Sequence, residues 1–331
     1  MSSDEKGKIS YNGGKMQEIL IVGGGYGGVY AALRLLRDLP KGVAHIRLIS
    51  TRKYFEYTAA LYRVVTGRET SETCIPYTAI FRHLPMELLQ DHIDHIDLTA
   101  RTCMGTSGSL YRYDVLIIAL GSETTFFGIP GIRERSFGMK TLTEAVRLKR
   151  HLHEILQSHP SSHIVIVGGG ATGVELAGEL VRSTIHIDLV EAMPRLLPSL
   201  PEDLAQRVTQ RLRKLGVRLH LNSRVLEEKE GYLLLSTTSL PSHTVIWTAG
   251  VQANVLLSNT KGLEVDQKGR GVVDPFLHAK GHENVFLLGD CAATPFSGMA
   301  QTAIYDGAYV VRTILHSLQH RPLPRYAPPP P

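Results

Sequence analysis

Two glycine clusters carry the most pointed chemical signal in this sequence. Gly23-Gly24-Gly25-Tyr26-Gly27-Gly28 follows the apolar run Ile19-Leu20-Ile21-Val22, and Gly168-Gly169-Gly170-Ala171-Thr172-Gly173 follows Ile164-Val165-Ile166-Val167. Each spells G-x-G-x-x-G, through Gly23, Gly25 and Gly28 in one case and Gly168, Gly170 and Gly173 in the other. Apolar residues at helical spacing follow both. Glycine lets a main chain turn tightly and approach a ligand more closely than a Cβ permits. A strand that delivers such a turn to a helix N-terminus offers free N–H groups and the positive end of the helix dipole, which together hold a pyrophosphate. The chemistry expected is dinucleotide binding, at two sites.

An acid about 20 residues further on, at the end of the next strand, would take the ribose hydroxyls. In the second unit Ile187-Asp188-Leu189-Val190 reads as that strand, and Glu191 follows it. A carboxylate there accepts bonds from a 2′-hydroxyl and repels a 2′-phosphate, so NAD(H) is expected over NADP(H). The matching strand of the first unit, Ile46-Arg47-Leu48-Ile49, ends at Ser50, whose hydroxyl can make one ribose contact in place of the bidentate pair. A further strand, Asn284 to Leu288, ends in Gly289-Asp290, which puts an Asp at the ligand edge of an open α/β sheet.

The 3 cysteines, Cys74, Cys103 and Cys291, contain no C-x-x-C. They exclude a secreted disulfide scaffold and a four-thiolate metal site, and they fit a reducing compartment. His92 and His95 lack further ligands, so no metal site is expected. Chemistry would then rest on bound nucleotides.

The elements that must position these residues read as an α/β chain. A length of 331 residues with 43% apolar content is enough for two cored domains. A net charge of +5 is too small and scattered to argue for nucleic acid. No run approaches the ~18 apolar residues of a membrane span, and residues 1–15 read as a disordered extension in place of a signal peptide. Leu110 to Gly121 contains an apolar strand ending in glycine, and the pattern recurs over residues 244 to 250, ending at Gly250. Thr141 to Glu144 is a capping box for a helix to about Ser158. Ser199 to Glu202 should cap another, with Leu204, Val208, Leu212 and Leu215 inward, Gly216 as its stop and Arg207, Arg211, Arg213 and Lys214 on a solvated face.

In order and spacing, GGGYGG, LIIALGS, IVIVGGGATGVELAGEL, LVEAMPRLLPSL, VIWTAGV and VFLLGDCA resemble the flavoproteins with two dinucleotide-binding domains, the FAD/NAD(P)-dependent pyridine nucleotide oxidoreductases. The chain is most similar to type II NADH dehydrogenases, single-subunit NADH:quinone oxidoreductases. YFEYTAALYRVVTG at 54 to 67, GIPG at 128 to 131 leading into FGMKTLTEA, and Ala300-Gln301 carry that narrower likeness. The resemblance implies two Rossmann-like domains with the NADH domain, 138–270, inserted in the FAD domain, 16–137 and 271–320. Gly23, Gly25 and Gly28 would cradle the FAD pyrophosphate, Asp290 would hold the ribityl chain, and Ala300 and Gln301 would lie beside the flavin. Gly168, Gly170, Gly173 and Glu191 would hold NADH, with Glu175 near the nicotinamide. Gly121, Gly250 and Gly289 would end strands beside the ligands. Hydride would pass from NADH to FAD and electrons onward to a quinone-like acceptor, with Glu175 and Gln301 as the candidate catalytic side chains.

The sequence departs from that family at Ser50, at Leu120, where threonine is usual, and at Ala59, where proline is common. Residues 321–331, a Pro-rich tail, resemble the linker that leads into the family's C-terminal membrane-docking domain, which this sequence is expected to lack. A cytoplasmic location, peripheral contact with the cytoplasmic face of a membrane, and a homodimer all accord with the likeness. Two alternatives stand beside the main reading. One is a truncated or non-turnover FAD/NADH-binding protein like apoptosis-inducing-factor relatives; the other is a sulfide:quinone-type reductase.

Overall fold

The computed structural model describes residues 16–181 and 185–329; the expected disordered extension, 1–15, lies outside them. The chain forms two compact units, one from Met1–Phe55, Pro76–Ser122 and Ala253–Pro331, the other from Glu56–Ile75 and Glu123–Gln252. Most of the second unit is thus an insertion between segments of the first.

The main sheet of the first unit orders its strands His278–Ala279, His282–Leu287, Val115–Ile118, Gln17–Val22, Ala44–Ser50, Glu87–Gln90. All its pairings are parallel except the first, a hairpin. Ile19 pairs with Ile46 on one side and Val115 on the other, and the run Ile19 to Val22 is buried on both faces, as a central parallel strand requires. Helix Tyr26–Asp38 crosses over between the two pairing strands and packs on helix Ala300–Leu318. The approach is close: a Cβ on Gly307 would lie 2.8 Å from the carbonyl oxygen of Gly27.

The second unit repeats the plan with a parallel sheet ordered Phe137–Gly138, Thr244–Trp247, His163–Val167, His186–Val190, Arg218–His220. Ile164, Ile166, Leu176, Leu189 and Leu148 form its core. In both units the strand that delivers the glycine turn is central, and the chain order reverses across it. That reversal is the switch point at which open α/β sheets bind ligands.

The helix expected from the capping box spans Leu142–Ser158, with the Glu144 N–H donating to Thr141 Oγ1 at 3.2 Å and the Thr141 N–H to the Glu144 carboxylate at 2.9 Å. Helix Glu202–Lys214 begins at Pro201 without a side-chain cap, so the cap expected from Ser199 to Glu202 is absent. Its stop is as expected. Gly216 adopts φ +88°, and the N–H groups of Gly216 and Val217 donate to Arg213 and Leu212, a left-handed closure that suits glycine. Leu212 is buried, while Leu204, Val208 and Leu215 are half-buried.

The run over residues 110–121 divides between two sheets. Leu110–Arg112 joins an antiparallel sheet with Ile93–Asp97 and Thr102–Gly105, and Val115–Ile118 joins the parallel one. The break falls where Asp114 turns its carboxylate back to accept the N–H of Glu18 at 2.8 Å.

The compact units divide at Ser122/Glu123 and Gln252/Ala253, against the expected 137/138 and 270/271. Phe137–Gly138 is an edge strand of the second sheet, paired with Ile246 and Trp247. Leu256 and Leu257 pack with Ile93, Ile96 and Leu98 of the first unit. Glu56–Ile75 joins the second unit because Leu61, Val64 and Val65 are buried with Leu148, Leu152 and Leu176.

Candidate dinucleotide sites

The two glycine turns match closely. Gly23 and Gly168 adopt φ +114° and +116°, which a side chain would strain. A Cβ on Gly28 would lie 1.9 Å from the Gly23 carbonyl oxygen, and one on Gly173 would lie 2.0 Å from that of Gly168. These positions are glycine because the helix starts against its own strand. Gly25 and Gly170 differ: a Cβ there would meet open space. They are the N-caps of helices Tyr26–Asp38 and Ala171–Leu180, neither of which has a side-chain cap or an acid in its first turn. The first N–H groups of each helix therefore face a cradle of the right sign and shape for a pyrophosphate.

The residues at the ends of the next strands diverge. Glu191 receives the Gly169 N–H on Oε2 at 2.6 Å and the Met193 N–H on Oε1 at 2.8 Å. Two lone-pair sites are thereby fixed, and the remaining ones are available to ribose hydroxyls. In the first unit Ser50 Oγ lies 3.2 Å from the Tyr77 hydroxyl, which donates to the Gly24 carbonyl oxygen at 2.7 Å. A Cβ on Gly24 would lie 1.9 Å from that hydroxyl, just as one on Gly169 would lie 2.9 Å from Glu191 Oε2. Tyr77 thus takes the place over the middle glycine that Glu191 takes in the second unit. No sequence motif marks it. A cavity of about 190 Å³ opens beside it, lined by Arg52, Lys53, Leu89 and Gln90 among others.

The third strand end of the first unit carries Asp290, half-buried in a 3₁₀ turn, Gly289–Cys291. Ser122 Oγ donates to Asp290 Oδ2 at 2.5 Å and the Gly298 N–H to Oδ1 at 3.1 Å. Ser122 follows Gly121, a φ +71° residue with open space where its Cβ would be, and it completes a seat for Asp290 that sequence reasoning missed. Ala300 is half-buried and Gln301 exposed at the start of helix Ala300–Leu318. The structure therefore gathers Gly23, Gly25, Gly28, Ser50, Gly121, Gly289 and Asp290 at the C-terminal edge of one sheet.

In the second unit, helix Ala171–Leu180 puts Glu175 in its second turn. Its side chain keeps substantial exposure, yet the protein around it raises the carboxyl above its ordinary range, opposed by the charge of Arg63. At Gly250, which adopts φ +75°, the space of a Cβ is filled by the Phe127 ring, 2.4 Å away, so backbone conformation and packing both call for glycine there.

Two of the three thiols, Cys103 and Cys291, are buried, while Cys74 is half-buried. Burial pushes Cys103 up to about 12 and Cys291 up to about 11, and Cys291 Sγ donates within the fold to the carbonyls of Ile118 and Leu288. A thiol held protonated in this way is not a nucleophile at neutral pH. Among the described residues, no group of three His, Cys, Asp or Glu side chains could hold a metal ion.

Two mainly parallel sheets, each with a glycine turn at its switch point, define a protein with two Rossmann-like nucleotide-binding folds in one chain. The chain belongs to the pyridine nucleotide-disulphide oxidoreductase family, whose model matches residues 17–307. It is 32% identical to the type II NADH:quinone oxidoreductase Ndh of Mycobacterium tuberculosis, over 91% of this chain and 72% of that one. Its fold matches NDH2 from Plasmodium falciparum, solved in complex with NADH, with a TM-score of 0.75 and 22% identity over 84% of this chain and 64% of that one. It also matches the sulfide:quinone oxidoreductase of Aquifex aeolicus, with a TM-score of 0.80 and 19% identity over 92% of this chain and 78% of that one.

Proposed function

We propose that this chain is an FAD-dependent NADH dehydrogenase that passes electrons to a quinone-like acceptor. The observation that carries this reading is the pair of matched glycine turns with unlike partners over their middle glycines, Tyr77 with Ser50 in one and Glu191 in the other. One chain then has two nucleotide sites of different chemistry. The first unit, which carries Gly23, Gly25 and Gly28, takes FAD, and the second, which carries Gly168, Gly170 and Gly173, takes NADH. Bound FAD supplies the step that a hydride donor and a quinone need between them, since it accepts electrons in a pair and releases them singly or in pairs.

The side chains bind and orient. The N–H groups that follow Gly25 and Gly170 hold pyrophosphates, and Glu191 accepts the ribose hydroxyls of NADH while its charge disfavours a 2′-phosphate. Ser50 and Tyr77 present hydroxyls to the adenosine ribose of FAD. Asp290, its carboxylate already oriented by Ser122 and Gly298, receives a ribityl hydroxyl. Gly121, Gly289, Ala300 and Gln301 line the flavin, and Gly250 and Glu175 lie toward the nicotinamide. No protein nucleophile is called for. The sulfide:quinone alternative depends on well-placed, reachable thiols; Cys103 and Cys291 are buried, which leaves Cys74 as the one half-buried thiol of the three.

The same reading places the protein at the cytoplasmic face of a membrane as a peripheral homodimer. Among the described residues, no helix is long and apolar enough to cross a membrane. The assignment of FAD is tested by heating the purified protein and separating the released nucleotide. Stoichiometric FAD is expected; FMN, or protein that stays colourless after incubation with FAD, would overturn it.

A further inference from the structure

Asp306 is a fully buried carboxylate for which the reading above has no use. It lies on helix Ala300–Leu318 and is held from two directions: Oδ2 accepts the Gly289 N–H at 2.9 Å, and Oδ1 accepts the Tyr326 hydroxyl. Gly289 begins the turn that presents Asp290. Tyr326 belongs to the Pro-rich segment, which is strapped onto the first unit. The Tyr326 N–H donates to Pro275, the Tyr305 hydroxyl to Ala327, and the Tyr309 hydroxyl to Pro324. The Tyr326 ring meets the Tyr309 ring edge-on at 5.1 Å.

We propose that Tyr326 and Asp306 form a clamp by which the C-terminal strap positions the Gly289–Cys291 turn, and with it Asp290, for binding the flavin nucleotide. The proposal rests on the reading that the first unit holds FAD. An asparagine at 306 would offer Gly289 the same acceptor without burying a charge. What the carboxylate adds is a charge-assisted bond to each donor, stronger and more directional than a neutral one. The group is also poised to titrate: burial pushes it up to about 6, the neighbouring Asp290 adds to that, and the Tyr326 hydroxyl and Gly289 N–H oppose it. The groups facing the clamp are Asp290 on the turn, Tyr326 and its neighbour Thr294, and Tyr305 on the helix. Asp306 and Tyr326 are positioning residues, acting on the ligand through Asp290.

The test is the release of FAD from the full-length holoprotein, followed by the rise in flavin fluorescence on dilution between pH 5 and 8. In the unsubstituted protein, retention should weaken as the pH falls through about 6 and Asp306 takes up a proton. Asp306→Asn should remove that step and weaken FAD binding at pH 8 by about tenfold, the scale of one charge-assisted bond made neutral. Tyr326→Phe, which keeps the ring packing and removes one donor to the carboxylate, should move the step to higher pH. Rescue by the charge alone, with Asp306→Glu restoring a pH step, would distinguish positioning from simple packing. Equal pH profiles in the unsubstituted protein and Asp306→Asn, or an unmoved midpoint in Tyr326→Phe, would overturn the clamp while leaving the FAD site standing. An unsubstituted protein that holds no FAD at any pH would overturn both. If Asp306→Asn does not fold, the midpoint of Tyr326→Phe decides alone.

Discussion

The Glu191 carboxylate takes the Gly169 main-chain N–H at 2.6 Å, within the glycine turn it serves. The contact fixes where the acid sits relative to the pyrophosphate cradle, and a second bond, from the Met193 N–H, fixes its rotation. Glu191→Gln keeps an acceptor for Gly169 and removes the charge. The preference for NADH over NADPH, measured as the ratio of kcat/KM values, should narrow by about tenfold, roughly 1.4 kcal/mol of lost repulsion. An unchanged ratio would mean that Glu191 does not read the ribose.

Tyr77→Phe removes the hydroxyl that bonds Gly24 and meets Ser50. One net hydrogen bond of about 1 kcal/mol corresponds to an FAD dissociation constant about fivefold higher. The KM for NADH should not move, because Tyr77 belongs to the first unit. A rise in that KM with FAD affinity unchanged would reverse the assignment of the two units.

The glycine turns allow a paired test. Gly28→Ala puts a methyl 1.9 Å from the Gly23 carbonyl oxygen, and Gly173→Ala puts one 2.0 Å from that of Gly168. Neither can be relieved by a side-chain rotation, since the clash is with main chain. Gly28→Ala should purify with little or no FAD, whereas Gly173→Ala should keep its FAD and lose saturable NADH binding in a titration of flavin absorbance. Full FAD content in Gly28→Ala would contradict the cradle.

Asp306 makes a prediction for the apoprotein as well. Its carboxyl is raised from 3.8 to about 6 in the folded chain, so between those values the folded state holds the proton more tightly than the unfolded one. The group's contribution to stability is therefore present at low pH and falls as the pH rises through about 4 to 6. At pH 7 the buried charge should cost on the order of 3 kcal/mol, the shift from 3.8 to about 6 converted at about 1.4 kcal/mol per pH unit. Asp306→Asn should unfold at higher temperature than the unsubstituted apoprotein at pH 7 and lose that advantage near pH 4. A lower melting temperature at pH 7 would show that the charge contributes more through its two donors than its burial costs.

What the sequence made legible was local. The glycine turns, the Thr141 capping box and the stop at Gly216 each depend on residues a few positions apart, and all stand in the structure where the residue types put them. The partners that complete the sites are distant in sequence. Tyr77 is 27 residues from Ser50, Ser122 is 168 from Asp290, and Tyr326 is 20 from Asp306. No periodicity signals such contacts, because tertiary packing selects them. The edge strand Phe137–Gly138 was not legible for the same reason: it has no strand pattern of its own and is a strand because Ile246 and Trp247 lie beside it. The missing cap on helix Glu202–Lys214 has a local cause, since Pro201 occupies the N-cap and has no side-chain acceptor.

The most direct test of the central claim is the absorbance of the purified protein under anaerobic conditions. The account predicts a flavin spectrum that bleaches on adding NADH and returns when a short-chain quinone is added. A flavin spectrum that NADH leaves unchanged, or bleaching that no quinone reverses, would contradict it.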